Sequence, residues 1–241
     1  MSRALSKLGI ASRTQARKFV LEGKVGVNGR TVRSPDAWID PRADRISLEN
    51  RTLRKREPVY IVLHKPAGVV TTRADEAGRK TVYDLLPPGH RWMFPVGRLD
   101  MESSGLLILT NDTRFGERVT NPEEKILKTY AVTLDRPLPA AGVQTMANGM
   151  RLENGMHLKP AAVQQGASPV EFLFTISEGK NRQIRKMCET FGCRVVRLKR
   201  LSIGPIALGD LEEGGTRRLT PGERDALLGR RNERKTRNRC P

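Results

Sequence analysis

The residues best placed for chemistry lie in one short segment, Gly97-Arg98-Leu99-Asp100-Met101-Glu102-Ser103-Ser104-Gly105. It runs straight into the apolar stretch Leu106-Leu107-Ile108-Leu109-Thr110 and stops at Asn111-Asp112. A polar loop feeding a buried strand sits at the mouth of a sheet, where a rigid scaffold displays reactive groups. A carboxylate held there, such as Asp100, is a candidate for covalent catalysis. Spacing alone leaves a second reading open, in which Arg98 and Asp100, two residues apart, are an ion pair that closes a turn.

Strands must carry that loop. Tyr60-Ile61-Val62-Leu63 reads as a buried strand that ends at Lys65-Pro66-Ala67-Gly68, with Val69-Val70 resuming it. Thr129 to Leu134 alternates and is broken by Arg136-Pro137. Val170 to Ile176 alternates again, and Val195 to Leu198 is a further strand. Asn181 to Phe191 has helical character and Gly192 ends it. Strands outnumber helices and long excursions separate them, which predicts an α+β domain with a mixed or mostly antiparallel sheet over residues 59–228.

Residues 1–48 read as a smaller unit. Ser12 is the expected N-cap of a helix carrying Ala16, Phe19 and Val20, which Gly23 stops. Val25 and Val27 alternate, and Asn28-Gly29 is a strong hairpin turn. Arg13, Arg17 and Lys18 lie on the helix's polar side, and Lys24 and Arg30 flank the turn. A solvated helix face accounts for such charges as readily as a binding face does. Residues 49–58 are charged, end in proline and read as a linker. Residues 229–241 are basic and almost without apolar side chains, so the tail is expected to lack structure when free. It would serve either solubility or contact with phosphates.

The charge balance points to a polyanion. Lysine and arginine number 44 against 26 acids, a net +18, and such a surplus attracts nucleic acid and speeds its encounter. No apolar run reaches the ~20 residues of a membrane-spanning helix, and no secretory signal follows Met1-Ser2-Arg3. Cys188, Cys193 and Cys240 show no paired metal-binding spacing. Reduced thiols, a cytoplasmic setting and no metal are expected.

Two resemblances sharpen the reading. Leu8-Gly9-Ile10-Ala11-Ser12-Arg13 through Gly23-Lys24-Val25-Gly26-Val27-Asn28-Gly29 resembles an S4 domain, a compact module that binds structured RNA; the first helix is short by comparison. Gly97-Arg98-Leu99-Asp100, then Ser103, then Gly105-Leu106-Leu107, resembles the signature of the RsuA-type pseudouridine synthases. Lys65-Pro66-Ala67-Gly68-Val69, Lys128-Thr129-Tyr130 and Glu178-Gly179-Lys180-Asn181-Arg182-Gln183-Ile184-Arg185-Lys186-Met187 are similar to further family motifs and occur in family order. The Gly-Arg-Leu-Asp form favours the RsuA branch over the RluA branch, whose motif usually begins with His.

The resemblance implies a mixed-sheet α+β catalytic domain behind an S4 domain. It implies isomerisation of a uridine in ribosomal RNA, with the large subunit preferred over the small subunit or transfer RNA. No cofactor is expected, because the reaction is an isomerisation. Asp100 takes the place of the catalytic aspartate, with Arg185 as its basic partner and Arg182 as the rival. Tyr130 takes the place of the tyrosine that packs on the base. Arg98 takes the place of the arginine that fills the gap left by an extruded base. Lys65, Lys128, Lys180, Arg182 and Lys186 are expected to contact RNA, together with Arg13, Arg17, Lys18, Lys24 and Arg30. Ile184 either packs on the base or fills the core. The competing readings are a non-catalytic ribosome-assembly factor, which need not keep Asp100, Tyr130 and Arg185 together, and another S4-bearing RNA enzyme. The latter would need a cofactor or ATP loop that the sequence does not show. A monomer that acts on ribosomal RNA or an assembling subunit is expected.

Overall fold

The computed structural model describes the chain except for residues 9, 12, 41–42, 54–56, 91 and 230–241. The expected cap at Ser12, the basic tail and Cys240 therefore lie outside the described residues. The chain divides into two compact units. One comprises Met1–Tyr60, Pro87–Phe94 and Thr110–Thr113, and the other Ile61–Leu86, Pro95–Leu109 and Arg114–Pro241.

The first unit opens with α1 (Ser2–Lys7) and α2 (Arg13–Leu21), followed by β1 (Val25–Val27), β2 (Arg30–Val32), β3 (Ile46–Leu48) and β4 (Arg51–Thr52). Its sheet has the order β2-β1-β3-β4. Leu5 and the α2 residues Ala16 and Val20 bury their side chains with Val25 and Ile46. Gly23 at φ +71° ends α2, and Asn28 and Gly29, at φ +50° and +82°, turn β1 into β2. Both features follow the expected stop and hairpin chemistry.

The expected linker over 49–58 is corrected at its start. Glu49 and Asn50 make a tight turn with positive φ, β4 pairs antiparallel with β3, and Leu53 packs on the module's core. High charge does not prevent strand pairing, because the ladder uses backbone groups and leaves the Arg51 side chain exposed. The boundary expected at residue 59 is not sequential either. Val59 donates its N–H to Asn111 Oδ1 at 2.8 Å, Thr110 Oγ1 donates to Val59 O at 2.7 Å, and Tyr60 Oη donates to Asp112 at 2.8 Å. These bonds tie residues 110–112 to the start of the following strand.

The second unit is built on a mixed sheet. Its strands are β5 (Tyr60–Lys65), β6 (Phe94–Val96), β7 (Ser104–Thr110), β8 (Lys128–Leu134), β9 (Met150–Arg151), β10 (His157–Leu158), β11 (Ala162–Gln165), β12 (Glu171–Ile176), β13 (Val195–Ile203), β14 (Ile206–Ala207) and β15 (Thr216–Arg218). The helices are α3 (Thr113–Thr120), α4 (Ala140–Asn148), α5 (Gln183–Glu189) and α6 (Pro221–Leu227). The main path runs β11-β12-β8-β13-β7-β5-β15, with β6 on β7 and β14 on β13; β9 and β10 pair separately. The β12–β8 and β8–β13 pairs are antiparallel and β13–β7 is parallel. Leu106, Leu107, Ile108 and Leu109 are all fully buried, which is why β7 reads as an unbroken apolar run rather than an alternating one.

Candidate active site

Register builds the site. Across β12, β8, β13 and β7, the residues Phe174, Tyr130, Arg200 and Gly105 stand opposite one another in a single row. The next row but one, on the same face, is Ile176, Lys128 and Ile203. A β-bulge between Arg200 and Ser202 in β13 shifts the alternation by one residue. Leu198, Arg200 and Ile203 can therefore all line one cleft, together with Lys128, Tyr130 and Ile176.

Gly105 must be glycine. Its φ is +107°, and a Cβ there would stand 2.3 Å from Arg200 O and 2.5 Å from Arg200 N. Both atoms belong to the adjoining strand and cannot move without unzipping it. Gly105→Ala is expected to lower unfolding stability by about 3 kcal/mol or more, from backbone strain and overpacking together. Urea unfolding that moved by under ~1 kcal/mol would disprove the close approach.

Three anchors hold the loop that precedes β7. Gly68 N–H donates to Met101 O at 2.8 Å. Thr71 Oγ1 donates to Leu99 O at 2.8 Å. Lys65 Nζ donates to Pro66 O at 2.9 Å, Met101 O at 3.3 Å and Ser103 O at 2.7 Å. The Lys-Pro-Ala-Gly segment is thus the clamp of the Asp100 loop, and within the loop Ser103 N–H closes a turn onto Asp100 O at 3.0 Å. The expected contact of Lys65 with RNA is corrected, because its side chain is fully buried and its ammonium is committed to these carbonyls. Burial pulls its pKa down to about 8, with the Asp100 charge opposing the fall and Arg200 adding to it.

Asp100 is half-buried and lines a cleft of about 340 Å³ with Arg98, Lys128, Tyr130, Lys180, Arg182, Ile184 and Arg200. This volume is at the small end of ligand pockets, about 300–1,000 Å³. Arg98, Lys180 and Arg182 are exposed at its edge. Among the described residues no ion pair joins Arg98 to Asp100, so the turn-closing reading finds no support. Lys128 Nζ donates to Ile126 O at 2.9 Å, and burial, then Arg200, holds its pKa below the usual lysine value. Gln183 orders the basic loop: it accepts from Lys180 N–H at 3.0 Å and donates to the buried Glu178 at 3.0 Å. Arg182 caps α5 in the left-handed region, at φ +52°. Ile184 is buried yet lines the cleft.

The expected pairing of Arg185 with Asp100 is also corrected. Arg185 is buried, donates from Nη1 to Val195 O at 2.9 Å, and approaches Glu102 Oε2 at 3.6 Å. It does not line the cleft, because its guanidinium runs instead to the Val195 carbonyl at the start of β13. Lys186 is half-buried on the same helix and also lies off the cleft lining.

The guanidinium at Tyr130 is that of Arg200, which the sequence reading missed. Its Nε donates to Leu106 O at 2.7 Å, its Nη1 reaches Tyr130 Oη at 3.5 Å, and its carbon stands 6.0 Å from the ring centroid. Nη2 is buried without a hydrogen-bond partner. The signal was present: an arginine two residues beyond Leu198, at the same inward phase of a strand, is rarely buried unless something uses its charge. In the first unit Arg13, Arg17, Lys18, Lys24 and Arg30 are exposed, and Lys24 is already paired with Glu22 at 3.0 Å and Glu49 at 3.5 Å.

Comparison with known proteins gives the family. The RNA pseudouridylate synthase family model matches residues 59–190, and the S4 domain model matches residues 3–37. The chain is 35% identical over 227 residues to the ribosomal large subunit pseudouridine synthase B of Bacillus subtilis, covering 92% of this chain and 93% of that protein. It is 34% identical to the dual-specificity RNA pseudouridine synthase RluF of Salmonella typhi, over 92% of this chain and 76% of that one. A crystal structure of a pseudouridylate synthase superposes with a TM-score of 0.70 at 32% identity, covering 94% of this chain and 98% of that chain. With its acid, tyrosine and clamped loop in one cleft, and with likeness running along nearly its whole length, this chain belongs to the RNA pseudouridine synthases of the RsuA type, which carry an S4 domain ahead of the catalytic fold.

Proposed function

We propose that this enzyme isomerises one uridine of large-subunit ribosomal RNA, with Asp100 as its catalytic carboxylate. The observation that carries the reading is the clamped loop, which holds Asp100 in the same small cleft as Tyr130 and a rim of cations. The name of the Bacillus subtilis relative supports the choice of RNA. The enzyme works as a monomer in the cytoplasm on free ribosomal RNA or on an assembling subunit. Among the described residues no helix is long and apolar enough to cross a membrane.

The chemistry breaks the N1–C1′ bond, turns the uracil and joins C5 to C1′, while the C5 hydrogen is exchanged for one on N1. Asp100 promotes the break, either by covalent attack on the sugar or by a glycal route, and the cleft serves both. Tyr130 packs on the base. The Arg200 guanidinium donates to the phenol oxygen, so the Tyr130 hydroxyl hydrogen turns away from it. Reaching the base requires extrusion from the stack at a cost of a few kcal/mol, least in loops and bulges. Arg98, exposed at the cleft edge, fills the vacated place with a flat cation. Lys128, Lys180 and Arg182 hold the backbone, and the exposed cations of α2 and the following hairpin grip structured RNA farther along.

Chemical mapping of pseudouridine tests this. Large-subunit RNA, small-subunit RNA and transfer RNA from cells lacking the protein should differ at a single large-subunit uridine, restored by adding the enzyme. A site found only in small-subunit or transfer RNA would overturn the substrate, and no site in any would overturn the whole reading. Mass alone is blind to it, because product and substrate are isomers.

A further inference from the structure

Glu102 is an acid that the reaction does not use, yet it stands between Arg182, which lines the cleft, and the buried Arg185. Arg182 Nη1 lies 3.7 Å from its Oε2, and Arg185 Nη2 lies 3.6 Å from the same oxygen. Both distances are within ion-pair range and too long for a hydrogen bond. The partners are unequal. The Glu102 side chain is 56% exposed, whereas that of Arg185 is 7% exposed. Nη2 and Nε of Arg185 are buried without a hydrogen-bond partner, an arrangement that a better-fitting anion would relieve. Arg182 holds a left-handed backbone at the first position before α5. Such strain persists only where surroundings enforce it, and it collects at ligand clamps. Asp100, two residues away on the same clamped loop, has no ion pair among the described residues.

We propose that Arg182 and Arg185 form a subsite for the RNA phosphate next to the extruded nucleotide, and that Glu102 occupies it in the free enzyme. The proposal rests on the RNA reading above and adds to it an internal competitor. One carboxylate oxygen now serves two guanidiniums. A phosphodiester offers two non-bridging oxygens to the same pair and makes shorter, charge-assisted bonds. An exposed ion pair is weak and easily exchanged, so Glu102 can swing to water as the phosphate arrives. No covalent step is involved.

The test is the affinity of the full-length chain for a uridine-bearing loop RNA across a salt series, for the wild type, Glu102→Gln, Arg182→Gln and the double variant. Glu102→Gln is expected to bind about two- to fivefold tighter, the range of an exposed ion pair. Its salt slope should steepen by up to about 0.7, as for one added phosphate contact. In the Arg182→Gln background the gain should shrink, because only Arg185 is left to take the phosphate. An unchanged or weaker affinity in Glu102→Gln would overturn the proposal. A gain that persists in full without Arg182 would overturn it too, since the acid would then act only through its general field. Both residues are exposed, and unfolding curves that match the wild type establish that each variant is folded. If the wild-type chain neither binds nor modifies RNA, the functional reading falls and takes this proposal with it; binding with no effect of Glu102→Gln removes the proposal alone.

Discussion

Asp100→Asn is expected to abolish uridine isomerisation, by about 10⁴-fold or more, while RNA affinity stays within about fivefold of the wild type. The amide keeps the shape of the carboxylate. The side chain is half-buried and without an ion pair among the described residues, so the fold loses little. What disappears is the group that can bond to the sugar or draw off its proton. Release of tritium from uridine labelled at C5 follows the reaction directly, since that hydrogen leaves as C5 joins C1′. Fluorescence anisotropy with the same RNA reports affinity. Turnover within tenfold of the wild type would remove Asp100 from its role.

Lys65→Met should cost activity by a different route. The methionine fills much of the space, but Pro66 O and Ser103 O lose their donor, and Met101 O keeps only the Gly68 N–H. The loop then drifts, and a displacement on the order of 1 Å at a reacting group can cost about 100-fold in rate. The lysine also leaves a signature in stability. Its folded pKa of about 8 lies below the unfolded value of about 10.4. Between these values the unfolded chain holds more protons, so the wild type gains stability as pH rises through the window. The stability difference between wild type and Lys65→Met should move in the wild type's favour by on the order of 3 kcal/mol between pH 8 and pH 10.5. A flat difference would mean that the ammonium is not buried as described, and an unimpaired rate would mean that it does not hold the loop.

Much of this was legible in the chain itself because the relevant signals are local. Gly23 and the Asn28-Gly29 pair turn the backbone by their own conformational preferences, and both act where expected. The apolar run of β7 and the alternation of β8 and β12 mark strands by burial alone. Other local signals were there and went unread. Thr220, Pro221 and Glu223 form a capping box that opens α6, and Glu49-Asn50 turns the chain into β4 inside a stretch whose charge suggested a linker. Charge says who solvates a segment, but it does not say whether its backbone pairs.

The sequence alone determined the chemistry on offer: an aspartate in a glycine-bounded loop, a tyrosine on a strand, cations in a late loop, and the order in which they come. Only tertiary structure decided which cation meets which group. Lys65 went inward because the loop carbonyls it serves lie 36 and 38 residues away. Arg185 turned to Val195 and Glu102 because α5 packs beside β13, and Arg200 came to Tyr130 because the register of β13 on β8 sets the row in which it stands. A strand's pairing partner and its phase are properties of the assembled sheet, and a one-residue shift in either sends a side chain to the opposite face.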